Sequence, residues 1–90
     1  MKRKIYNGMV IHCPEKWMAF ELDRKIGNKN DSSWEVEKGW EEHKENTCYG
    51  IGYYNSERKH TITYYCDLDD EYLEGKEDRI YEFSDIEFED

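Results

Sequence analysis

The spacing of apolar and polar positions changes several times along the chain, and each change marks a predicted element. Ile5, Met9, Val10 and Ile11 supply the apolar side chains of a first strand running from Ile5 to Cys13. Asn7-Gly8 interrupts it and reads either as a two-residue turn or as a bulge. Pro14 then opens a helix. Proline at the first helical position gives up only an N–H that has no partner there, and Glu15 complements the positive end of the dipole. Met18, Ala19, Leu22 and Ile26 follow at three- to four-residue spacing, Trp17 and Phe20 widen the stripe, and Gly27-Asn28 predicts a left-handed stop.

After a polar loop from Asn28 to Ser33, Trp34-Glu35-Val36 suits a short strand, and Gly39 to Asn46 a charged turn or short helix with Trp40 and His43 on one side. Thr47 to Tyr54 and His60 to Cys66 are rich in Tyr and Thr and flank a polar turn, Asn55 to Lys59, so they predict an antiparallel pair. Alternation puts Ile62 and Tyr64 on one face and Thr61, Thr63 and Tyr65 on the other. Asp69 to Gly75 suits one helical turn and Arg79 to Phe83 a last strand. Ile86 and Phe88 are the apolar residues left to dock or punctuate the tail. This order predicts an α+β fold: one domain over residues 1–90, with a small, mainly antiparallel sheet and one helix, residues 14–26, packed on one face.

Charge changes the picture most. The segment from Asp67 to Asp90 holds 12 of the 22 carboxylates against two basic residues, Lys76 and Arg79, while the rest of the chain is nearly neutral; the formal net charge is −9. Such a chain is repelled by nucleic acid and anionic membranes and attracted to basic surfaces, including grooves that hold nucleic acid. Mean hydropathy is −1.17, yet aromatics make up 16%. Disordered acidic tails are poor in aromatics, so a folded chain with a small core of large rings is expected. Three cysteines without close spacing argue against a disulfide framework, and neither a membrane span nor a signal peptide is read from the sequence. A cytoplasmic protein with reduced thiols is the expectation.

Val10-Ile11-His12-Cys13 leading into a helix, Trp40 followed by Glu45-Asn46-Thr47-Cys48-Tyr49, and the closing Ile80-Tyr81-Glu82-Phe83-Ser84-Asp85 resemble a group of small uncharacterised proteins encoded by phages and prophages, mostly of Firmicutes. That resemblance implies a phage-type accessory protein, in a class that includes inhibitors of bacterial defence, and it carries over no catalytic residues. The long acidic stretch from Asp67 to Asp78 departs from the group.

Candidate chemistry is sparse. His12, Cys13, His43, Cys48, His60 and Cys66 are zinc-ligand types, but neighbours in a strand point to opposite faces and no pair has ligand spacing, so no metal is expected. Cys48 and Cys66 are the candidate nucleophiles; an acidic neighbour raises a thiol pKa, which counts against Cys66. Asp67, Asp69, Asp70 and Glu71 resemble the start of a calcium loop without its glycine or its terminal glutamate. No phosphate or dinucleotide fingerprint is present, so no cofactor is expected.

The acidic run reads either as a solvated face or as a decoy for phosphate, and the phage-like resemblance favours the decoy. Duplex DNA carries one negative charge per ~1.7 Å of axis, a density that carboxylates on a folded edge can approach. The expectation is therefore a non-catalytic inhibitor that binds a basic host or defence protein. Asp67, Asp69, Asp70, Glu71, Glu74, Glu77 and Asp78 supply the field, and Tyr72, Tyr81 and Phe83 the apolar anchors. The alternative is a module sequestering a small nucleotide in a pocket lined by Trp34, Trp40, Tyr49 and Tyr64, with an enzyme ranked behind both. Monomer and dimer stay open, the strand around Ile62 being the exposed edge a dimer would use.

Overall fold

Six short strands and two helices account for most of the chain in a computed structural model that describes residues 2–29, 32–54 and 59–88. In chain order they are β1 (Arg3–Lys4), β2 (Val10–His12), α1 (Lys16–Ile26), α2 (Ser33–His43), β3 (Thr47–Tyr54), β4 (Lys59–Asp67), β5 (Ile80–Glu82) and β6 (Ile86–Glu87). The fold is α+β, as expected, but the sheet is mixed rather than mainly antiparallel. Its order is β4-β3-β2-β5: β4–β3 and β3–β2 are antiparallel, and β2–β5 is parallel. β1 and β6 form a separate parallel ribbon. The parallel pairings join residues 70 apart in β2–β5 and 83 apart in β1–β6, which local alternation does not encode. Among the described residues, no helix is long and apolar enough to cross a membrane.

Helix α1 follows its stripe. Ala19 and Leu22 are buried, Met18 and Ile26 pack at the margin, and Gly27 (φ 74°) ends it by donating to the Asp23 carbonyl at 2.6 Å. It begins two residues after Pro14, and Glu15, at the cap position, accepts a bond from the Trp17 indole at 3.0 Å. The second helix corrects the strand expected at Trp34-Glu35-Val36. Ser32 caps it, its hydroxyl accepting from the Trp34 N–H at 3.3 Å, and Val36 and Gly39 face inward. Asn7-Gly8 is a turn, closed by the Met9 N–H to the Tyr6 carbonyl at 3.2 Å; its flanking strands join different sheets, so it makes no hairpin.

The sheet has two covered faces. Against the helices lie Met9, Ile11, Cys13, Tyr49, Ile51 and Ile62, joined by Phe83 and Ile86. On the opposite face Val10, Cys48 and Cys66 pack beneath Leu73, with Tyr64, Leu68 and Ile80 around them. The paired strands β3 and β4 form as expected; the turn between them, residues 55–58, lies outside the described residues. Their register corrects the expected faces, because Gly50 pairs with Tyr64 while Ile51 pairs with Ile62. Thr63 is thus an extra residue in β4, a bulge that puts Ile62 on the helix face and Tyr64 on the other. Tyr64 lies over Gly50, where a Cβ would sit 2.0 Å from the ring.

Ile62 is also no open dimer edge. Its N–H donates to the Gly27 carbonyl and its carbonyl accepts from the Lys29 N–H, both at 2.9 Å, so the segment after α1 covers the strand there.

Candidate protein-interaction surface

The acidic segment is a lid on the sheet. It leaves β4 at Asp67 and makes a turn closed by the Asp70 N–H on the Asp67 carbonyl. A short 3-10 turn (Glu71–Leu73) follows, then a second (Glu77–Arg79) that feeds β5. Carboxylates set this path. The Asp67 side chain accepts from the Asp69 N–H at 2.9 Å, and the Asp70 side chain caps the first 3-10 turn by accepting from the Tyr72 N–H at 2.8 Å. Leu73, buried on Val10, Cys48 and Cys66, is the nail that fixes it. Leu68 and Ile80 flank that contact. Sequence reasoning missed these three residues as a platform because they follow no strand or helix period; being the only aliphatic residues in a polar run was the available signal.

With its apolar side chains turned inward, the lid presents Asp69, Asp70, Glu71, Glu74, Glu77 and Asp78 to solvent. None of these six makes an ion pair with another described residue. Several carboxylates elsewhere are engaged. Glu41 accepts from Lys16 at 2.6 Å and Lys44 at 2.9 Å, and those two bonds hold its pKa at about 2. Glu21 accepts from Arg24, and Glu82 faces His12 Nδ1 at 2.8 Å while the other ring nitrogen of His12 faces the Glu45 carbonyl at 2.7 Å. Asp67 stands between the two sets, with His43 Nδ1 3.4 Å away. The lid's own amine, Lys76, lies 4.0 Å from the centre of the Tyr72 ring and donates to the Tyr72 carbonyl at 2.8 Å. A shallow crevice of about 180 Å³ opens in this surface, floored by Leu68, Leu73 and Ile80 and rimmed by Asp69, Asp70, Glu74 and Glu77.

The three expected anchors separate. Tyr72 stands on the acidic surface, 54% exposed, with its ring edge against Tyr64 at 5.2 Å. Tyr81 points the other way, half-buried against Tyr6 and covered by Arg3. Phe83 is buried in the core beneath Trp17 and Phe88 and offers no surface to a partner. Strand alternation explains Tyr81: Ile80 faces the lid, so its neighbour faces the helices.

The aromatic pocket assembles in part. A cavity of about 280 Å³ beside β4 takes Tyr49 and Tyr64 together with Tyr65, Ile62, Val36, Asn28, Lys29 and Glu35. Trp34 instead lies on the outer face of α2, 59% exposed, and Trp40 packs at the core with its indole donating to the Cys13 carbonyl. The Tyr49 ring is itself fully buried, its hydroxyl donating to the Val36 carbonyl at 2.7 Å.

The three thiols are buried, and burial pushes Cys66 up to about 11 and Cys48 up to about 12, with Cys13 raised further. An activated thiol is shifted in the opposite direction. Among the described residues, no three His, Cys, Asp or Glu side chains converge as a metal site. Compared with protein-family models, with curated proteins and with solved structures, the chain matches none.

Proposed function

We propose that this chain is a phage-type inhibitor that binds a bacterial defence or nucleic-acid-handling protein, its lid occupying a basic groove in place of nucleic acid. One observation carries the reading. Six carboxylates stand exposed, close together in sequence and without an ion pair to any described residue, on a lid pinned by Leu73, whereas Glu41, Glu21 and Glu82 elsewhere in the chain have cationic or imidazole partners. Holding like charges together costs stability, and a basic partner recovers that cost on binding. Tyr72 and the apolar floor of the crevice supply contact area beside the field, as interface energy concentrates in such residues. The nucleotide-sequestering reading has less support. Two of its four aromatic residues lie outside the cavity, whose 280 Å³ falls at the lower limit of about 300 Å³ for small-molecule sites.

The test compares the wild-type chain with a charge-neutralised variant, Asp69→Asn, Asp70→Asn, Glu71→Gln and Glu74→Gln combined, as baits in a bacterial lysate at low and high salt. A nucleic-acid-binding protein held by the wild type, released by salt, displaced by duplex DNA and ignored by the variant is the expected result. Retention by both baits, or indifference to DNA, sinks the proposal. A bait that returns with a nucleotide-sized adduct and no protein shifts the reading to the cavity.

A further inference from the structure

Cys48 and Cys66 face each other directly across the β3–β4 ladder, and both are buried in the cluster beneath Leu73. The odd-numbered residues of β3 bond toward β2, as the Cys13 N–H to Thr47 carbonyl and Ile51 N–H to Met9 carbonyl bonds show. Cys48 and Cys66 therefore form a hydrogen-bonded antiparallel pair. In such a pair the Cα atoms lie about 5.5 Å apart and both side chains leave the same face. That separation falls inside the ~4.4–6.8 Å range of disulfide-linked residues. Cys13 is excluded from this geometry, because it lies on the helix face of the sheet.

We propose that Cys48 and Cys66 are a redox modification site, closing to a reversible intramolecular disulfide on reaction with a small-molecule disulfide. The step is a two-electron exchange. The thiolate of Cys66, the more accessible of the two at 6% exposure, attacks one sulfur of the reagent and releases one small thiol. Cys48, as thiolate, then attacks the Cys66 sulfur of the mixed disulfide and expels the second small thiol. The protein loses two hydrogens, and the reagent is reduced to two thiols.

Two features make the bond a switch rather than a staple. Directly opposed Cβ atoms in a hydrogen-bonded pair stand near 5.5 Å, whereas a disulfide wants about 3.8 Å, so closing it draws the strands together, and strained disulfides are the more easily reduced. The cluster beneath Leu73 also leaves Cys48 fully buried and Cys66 only 6% exposed, so reagent gains full access to the pair when the lid lifts. The rate of oxidation thus reports opening of the acidic lid, whatever that lid binds.

The experiment uses the full chain with excess oxidised glutathione under native conditions, followed by intact mass and peptide mapping. Expected are a loss of two hydrogens, a Cys48–Cys66 crosslink and Cys13 as the one remaining thiol. Excess reduced glutathione restores three thiols. Cys13→Ser gives the same crosslink. Leu73→Ala speeds the reaction about tenfold or more, and Leu73→Met, which keeps the volume, speeds it less. A crosslink through Cys13, a lasting glutathione adduct with no internal bond, or three unreacted thiols in both wild type and Leu73→Met overturns the proposal.

Discussion

Gly50 and Tyr64 show how one missing side chain sets a packing arrangement. The ring of Tyr64 occupies the space where a Cβ on Gly50 would stand, 2.0 Å from the nearest ring carbon, and its other edge supports Tyr72. Burial, followed by the nearby Tyr72, raises the phenol to about 12, so Tyr64 stays neutral and acts as a packing element. Gly50→Ala should therefore cost about 1–3 kcal/mol, because the ring must leave a backbone it covers. The same substitution in a Tyr64→Ala background should be close to neutral, with urea denaturation of the four proteins giving the coupling energy. Additive losses would show that the ring does not rest on the glycine. Tyr65 makes the equivalent contact over Gly39 on the helix face, so neighbouring tyrosines cover glycines on opposite sides of one sheet.

Strand alternation alone gives that opposition, whereas the Thr63 bulge separates Ile62 from Tyr64, and the contrast explains both what the sequence discloses and what it hides. Helix α1 was legible because Ala19, Leu22 and Ile26 keep helical spacing and Gly27 ends it. The β3–β4 pair was legible from its Tyr and Thr content. Helix α2 was hidden because Trp34-Glu35-Val36 alternates like a strand over three residues; the longer spacing Val36, Gly39, Trp40, His43 and the cap at Ser32 were the better guide. The bulge leaves no local signature, and it inverts the face of every residue on one side of it. The site divided the same way. The outward carboxylates were legible from charge alone, whereas Phe83 required knowing which way β5 runs. A deletion test follows from the register. Removing Thr63 restores unbroken alternation with Ile62 and Tyr64 still on their native faces, so the chain should fold with a loss of about 1 kcal/mol, largely the Thr63 hydroxyl bond to the Gly50 carbonyl. Removing Tyr65 turns the buried Cys66 toward the wrong face and should abolish the cooperative unfolding transition. Equal stability of the two deletions would mean that the bulge does not set the faces.

At the scale of the whole molecule, the lid loads the fold with charge that the rest of the chain does not neutralise. The ion pairs elsewhere, Lys16 and Lys44 on Glu41 and Arg24 on Glu21, join exposed side chains, and pairs of that kind contribute little. Repulsion among Asp69, Asp70, Glu71, Glu74, Glu77 and Asp78 is then the larger electrostatic term, and it acts against folding because Leu73 holds these groups together. Salt should accordingly stabilise this protein. Between about 10 mM and about 150 mM ionic strength the screening length falls from ~30 Å to ~8 Å, short enough to weaken repulsion across the lid. Stability measured by urea denaturation at the two salt concentrations should rise by on the order of 1 kcal/mol, and the variant neutralised at Asp69, Asp70, Glu71 and Glu74 should start higher and respond less. A wild type that loses stability with salt would place the balance with the ion pairs. It would also remove the electrostatic cost that a basic partner is proposed to relieve.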